Sequence, residues 1–133
     1  MPVGGRRPKP PGQAVTPNPR LYGWTEVENT PNMSGPRLPP RRRNGQAWPA
    51  YVRARWDALR RIPHAALWQP SDWDFALDTI ELVARAAEDD APVSLISEIR
   101  LRERTLGTTW DARLSQRIRY VALTTDDGPV ARG

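Results

Sequence analysis

Asp74, Asp78 and Glu81 recur at helical spacing, with Arg85 four residues beyond Glu81. Three carboxylates on one helical stripe could hold a divalent cation. The same stripe could instead be a solvated face closed by a Glu81–Arg85 pair, or a surface for an arginine-bearing helix. The solvated face is the simplest of these, because no other ligand-bearing group flanks the stripe. The remaining candidate for reactive chemistry is His64, the single histidine, which follows Pro63 where a helical pattern stops. With no cysteine in the chain, a His/Cys zinc site is excluded and a histidine-based nuclease motif has too few parts. A structural or solvent-facing imidazole is the better reading of His64. No GxxxxGK[ST] phosphate loop is present, and Gly4-Gly5 is no substitute. The expectation is therefore a non-enzyme with no catalytic residues, no metal and no cofactor.

What remains is binding chemistry, and it is unevenly distributed. Residues 1–44 carry eight basic groups (Arg6, Arg7, Lys9, Arg20, Arg37, Arg41, Arg42 and Arg43) and two acidic ones, a net charge of +6; the other 89 residues sum to −1. A basic segment on a near-neutral body points to an anionic partner, nucleic acid before membrane. Arginines neutralise phosphates and release counterions, so the affinity they give is salt-sensitive and independent of base sequence. A second basic feature is Arg113, Arg117 and Arg119 after the turn Leu106-Gly107-Thr108-Thr109, a helix-turn-helix in outline. These eleven residues are the candidate DNA contacts. Of the six tryptophans, Trp56, Trp73 and Trp110 fall on apolar helical faces and read as core, whereas Trp24 lies in the basic region and could meet a nucleic acid or protein. Neither a signal peptide nor a run of about 20 apolar residues is present, which predicts a soluble, cytoplasmic protein with no membrane partner.

The elements that would position these residues are helical. Ten of the fifteen prolines lie in residues 1–47, so this segment reads as a disordered Pro/Arg-rich arm, with Leu21-Tyr22-Gly23-Trp24 as a short contact element. Residues 48–121 read as an all-α bundle of about four helices. The first opens at Trp48-Pro49 and presents Tyr51, Val52, Trp56, Leu59 and Ile62 before Pro63 ends it. The second is capped at Ser71 and runs to about Glu88. The third covers about Val93–Leu106, with Glu98 and Arg102 paired at i,i+4 and Gly107 as its C-terminal cap. The fourth, capped by Thr108 or Thr109, covers about Trp110–Val121 with the stripe Trp110, Leu114, Ile118. Residues 122–133 read as a flexible tail. Phe75, Leu82 and Leu101 fall away from the main apolar stripes. Such a thin core predicts that neighbouring subunits bury these three in an oligomer interface.

Several short motifs carry a resemblance. They are Gly35-Pro36-Arg37-Leu38-Pro39 before a basic run, Trp48-Pro49, and Trp68-Gln69-Pro70-Ser71-Asp72-Trp73. The most specific is Glu98 through Thr109 followed by Ala112-Arg113-Leu114 and Arg117-Ile118-Arg119-Tyr120. Over roughly residues 35–121 the chain resembles small terminase subunits of tailed phages, particularly those of actinobacterial hosts. The resemblance implies a DNA-recognition and assembly role in viral genome packaging. It further implies ring homo-oligomers, and a separate large terminase subunit supplying ATPase and nuclease. A clear N-terminal helix-turn-helix, which many relatives use for DNA, is not present here. The competing readings are a dimeric DNA-binding regulator of transcription and a protein-interaction adaptor whose arm docks on an acidic protein.

Overall fold

The computed structural model describes residues 23–122, and the chain over that span is mostly helical. Its elements are β1 (Thr25–Glu28), α1 (Ala50–Arg60), a 3-10 turn (Pro63–Leu67), α2 (Pro70–Ala86), α3 (Ser94–Leu106), α4 (Trp110–Gln116) and β2 (Ile118–Val121). The outer part of the expected arm, residues 1–22, lies outside the described residues, as do residues 123–133 of the expected tail.

Helix α2 is the centre. It packs against both α1 and α3, and its Ala76, Ile80, Val83 and Ala84 are buried. Val52, Trp56 and Leu59 come down from α1, and Ile99 and Leu106 from α3. The spacings 52, 56, 59 and 99, 106 each follow one face of a 3.6-residue helix. Start and stop signals are local. Pro49 precedes α1 in an extended conformation, and Pro63 prevents its continuation. The α2 cap is Gln69 rather than the expected Ser71. The Asp72 backbone N–H donates to the Gln69 carbonyl at 2.9 Å, and the Asp72 carboxylate accepts from the Gln69 N–H at 2.9 Å, with Pro70 at the first helical position. Gly107 ends α3 in the left-handed conformation at φ 73°, and Thr109 caps α4 by accepting from the Ala112 N–H at 3.1 Å.

Two features depart from an all-helical reading. The last helix is shorter than expected: it stops at Gln116, Arg117 takes φ 60°, and the chain becomes β2. That strand pairs in parallel with β1, Thr25 opposite Ile118 and Glu28 opposite Val121. The pairing is extended at its ends by Thr25 N–H donating to the Arg117 carbonyl and Asn29 N–H to the Val121 carbonyl, both at 2.8 Å.

The second departure is that residues 23–47 are laid onto the helices. The indole N–H groups of Trp56 and Trp48 donate to the carbonyls of Pro36 and Pro39, each at 2.9 Å. Leu38 packs against the core between them, and the Arg60 guanidinium donates to the Gly35 carbonyl at 2.9 Å. A Cβ on Gly35 would meet the Cβ and carbonyl oxygen of Arg60 at 2.7 Å, so only glycine lets the strap lie this close. The physical reason for the order is that a proline carbonyl, with no N–H to satisfy beside it, is an available acceptor for a buried indole donor.

Candidate nucleic-acid interface

The arginine run at the end of the strap meets the acidic stripe of α2. Arg42 is only 8% exposed. Its guanidinium lies 3.0 Å from a Glu88 carboxylate oxygen and 3.6 Å from one of Glu81. Arg43 pairs with Asp78 at 2.6 Å, and its backbone N–H donates to Glu81 at 2.9 Å. Arg85 pairs with Glu88 and Asp90 in place of the expected Glu81 partner. These pairs, with Arg42 and Arg85 on Glu88 and Arg85 on Asp90, hold the Glu88 and Asp90 carboxyls below their ordinary range. Asp78 and Glu81 of the stripe thus anchor the arginine run, while Asp74 is exposed. Among the candidate contacts, Arg42 is withdrawn into the fold. Arg37, Arg41 and Arg43 stay exposed, Arg41 with a bond to the Gly45 carbonyl at 3.3 Å. Arg6, Arg7, Lys9 and Arg20 lie outside the described residues.

The other arginines gather at the opposite terminus of the described chain, around the two-stranded sheet. This region is built on His64. The imidazole is buried, with Nε2 2.8 Å from the Leu106 carbonyl oxygen and Nδ1 2.7 Å from the Tyr120 hydroxyl. A carbonyl can only accept, so Nε2 carries the proton and Nδ1 accepts from the tyrosine. Burial pushes the His64 pKa below its ordinary value; the Leu106 bond opposes this and Arg113 reinforces it. Burial likewise raises the Tyr120 pKa. One side chain thereby ties the 3-10 turn, the end of α3 and β2 together, a structural role. The Gly107 turn fits beneath it: a Cβ there would lie 2.9 Å from His64 Nε2 and 2.8 Å from Gln116 Oε1.

Outside this knot, Arg113 lies over the Tyr120 ring at 4.7 Å and donates to the Gly107 carbonyl at 3.1 Å. Arg119 lies over the Trp24 ring at 4.9 Å and pairs with Glu26 at 3.5 Å. Trp110 is 73% exposed, which corrects its assignment to the core. It stands with Leu114 on the outer side of α4, while Ala112 is the residue α4 buries. Trp24, Trp110, Arg113, Leu114, Ile118, Arg119 and Tyr120 line a depression of about 410 Å³. The helix-turn-helix outline resolves differently: the Gln116 amide turns back to the carbonyls of Arg104 and Thr105, at 2.9 and 3.0 Å, closing the end of α3.

A family model described as phage terminase small subunit matches residues 5–132. The chain belongs to the phage terminase small subunit family. No curated protein and no solved structure matches it significantly. In this small terminase subunit the residues that carry the family resemblance have identifiable work. Gly35, Pro36 and Pro39 receive Arg60, Trp56 and Trp48; Gln69, Pro70 and Asp72 start α2; Leu106 and Gly107 seat His64. No described helix is long and apolar enough to cross a membrane.

Of the expected oligomer-interface residues, Phe75 and Leu82 are half-buried and already pack against the core, Phe75 beneath the Arg102 guanidinium at 5.0 Å. Leu101 is 62% exposed. Sequence reading missed Tyr120 and the exposure of Trp110. The Ser115-Gln116-Arg117 break in the α4 stripe, followed by Ile118-Arg119-Tyr120-Val121, was the one local sign of a strand.

Proposed function

We propose that this protein is the non-catalytic DNA-recognition and assembly component of a viral DNA-packaging motor. It binds double-stranded viral DNA in the host cytoplasm, associates with itself as a ring, and recruits and regulates the large terminase subunit, which supplies ATPase and nuclease. The observation that carries this reading is family membership over nearly the whole chain.

The charge distribution supports the DNA contact. Arg6, Arg7, Lys9 and Arg20 precede the packed strap, and Arg37 and Arg41 lie exposed along it. Arg113, Arg117 and Arg119 add positive charge around β2. Arg42 stays with Glu81 and Glu88 and takes no part. The reading of self-association rests on α3 and the residue that precedes it, where Val93, Ile96 and Leu101 are exposed apolar residues that a subunit contact would cover.

Native mass spectrometry of the purified chain, paired with ATPase assays of its cognate large subunit, tests the assembly role. The expected result is a discrete multimer that raises large-subunit turnover without turnover of its own. A monomer at every concentration, with no effect on the large subunit, overturns the reading.

A further inference from the structure

Trp110 is the most exposed aromatic residue among the described hydrophobics, at 73%. An exposed indole leaves a large apolar face in water, an arrangement that folding alone does not favour. It borders the 410 Å³ depression whose lining consists of three aromatic rings, two arginines and two aliphatic side chains, with no carboxylate. That volume suits a base with its sugar. The Arg119 guanidinium already stacks on Trp24, and the Arg113 guanidinium on Tyr120. Flat π faces beside cationic groups match a ligand with a planar ring and a phosphate.

The position of the depression along the chain favours a polymer over a free nucleotide. Trp24 stands at the point where the basic leader joins the described fold, and Arg20 is four residues before it. That separation is at most about 14 Å of extended chain. A nucleic acid contacted by Arg20 would therefore lie within reach of the depression.

We infer that the depression walled by Trp24, Trp110, Arg113 and Arg119 accepts unpaired nucleotides, giving the protein affinity for single-stranded DNA or the opened end of a duplex. This rests on the DNA-binding reading above and adds the state of the DNA to it. Stacking on Trp110 is expected to dominate, with the guanidiniums meeting the flanking phosphates.

Fluorescence anisotropy of the full chain, with a labelled oligo-dT of roughly 20 nucleotides and a blunt duplex of the same length, tests it. Trp110→Ala should weaken oligo-dT binding about fivefold or more and lower the ratio of single-strand to duplex affinity. Trp110→Phe, which keeps a π face, should restore most of that loss. Trp110→Leu, which keeps only apolar bulk, should not. Thermal melts establish that each variant is folded. Full oligo-dT affinity in a folded Trp110→Ala overturns the inference, as does rescue by Trp110→Leu or loss of self-association in place of oligo-dT binding, either of which marks a protein-docking surface. A native chain that binds neither oligonucleotide sinks the DNA-binding reading itself. Duplex binding with no Trp110 effect sinks the single-strand inference alone.

Discussion

Two of the buried polar side chains, His64 and Arg42, each make a separate prediction. Burial opposes the charged form of His64 in the folded chain and lowers its pKa, whereas in the unfolded chain it takes a proton near pH 6.5. Its contribution is therefore complete above about pH 6.5 and shrinks as pH falls through that value, where the unfolded state binds more protons. The loss levels off once the folded imidazole also protonates. Urea unfolding of the native chain and of His64→Gln across this range should show the extra pH dependence only in the native chain; parallel curves would contradict the assignment. Arg42 is the other case. Removing it leaves Glu81 with only the Arg43 backbone N–H and Glu88 with only Arg85, and Arg42→Ala should cost about 2–3 kcal/mol by denaturant titration, reduced from the fully buried figure because Glu88 is partly solvated and keeps one cation. Arg43→Ala, at an exposed pair with Asp78, should cost well under 1 kcal/mol.

At the scale of elements, Gly107 is the tightest constraint. It combines φ 73° with neighbours on two sides. Gly107→Ala should destabilise by about 2–3 kcal/mol, through left-handed strain and displacement of the His64–Leu106 bond; a change below 0.5 kcal/mol by the same titration would show that the turn tolerates a side chain. The helices were legible because their signals are local: 3.6-residue periodicity in Val52–Leu59 and Ala76–Val83, and punctuation by Pro49, Pro63 and Gly107. The β1–β2 sheet was not, because its strands are four residues each, lie at opposite ends of the described chain, and pair across the entire helical body. Nothing near Thr25 announces Ile118. The strap was illegible for a similar reason. Pro36 and Pro39 look like arm residues until Trp56 and Trp48 supply their donors, and a run of three arginines looks solvated until α2 supplies Asp78 and Glu81 and the turn after it supplies Glu88. Trp110 misled because periodicity places a residue on a stripe without saying whether anything covers it. Only the arginines of the candidate interface could be read directly, and then without distinguishing buried Arg42 from exposed Arg41.

For the whole molecule, the division of charge sits further toward the N-terminus than composition suggests. The strap 23–47 is structural: it contributes β1, the carbonyls that satisfy Trp48 and Trp56, and the Arg42 anchor. Deleting residues 1–47 should therefore yield a poorly folded product, whereas deleting 1–22 should leave the melting temperature within a few degrees. Circular dichroism melts separate the two outcomes, and equal melting of both truncations would contradict the structural role of the strap.

Salt titration of duplex DNA binding, comparing the full chain with residues 23–133, puts the DNA-recognition reading at greatest risk. Loss of Arg6, Arg7, Lys9 and Arg20 should weaken binding and make the slope of log affinity against log salt shallower by up to about 3.6 per subunit engaged, at roughly 0.9 per phosphate contact. Identical affinity and slope for the two chains, or no binding by either at low salt, would contradict it.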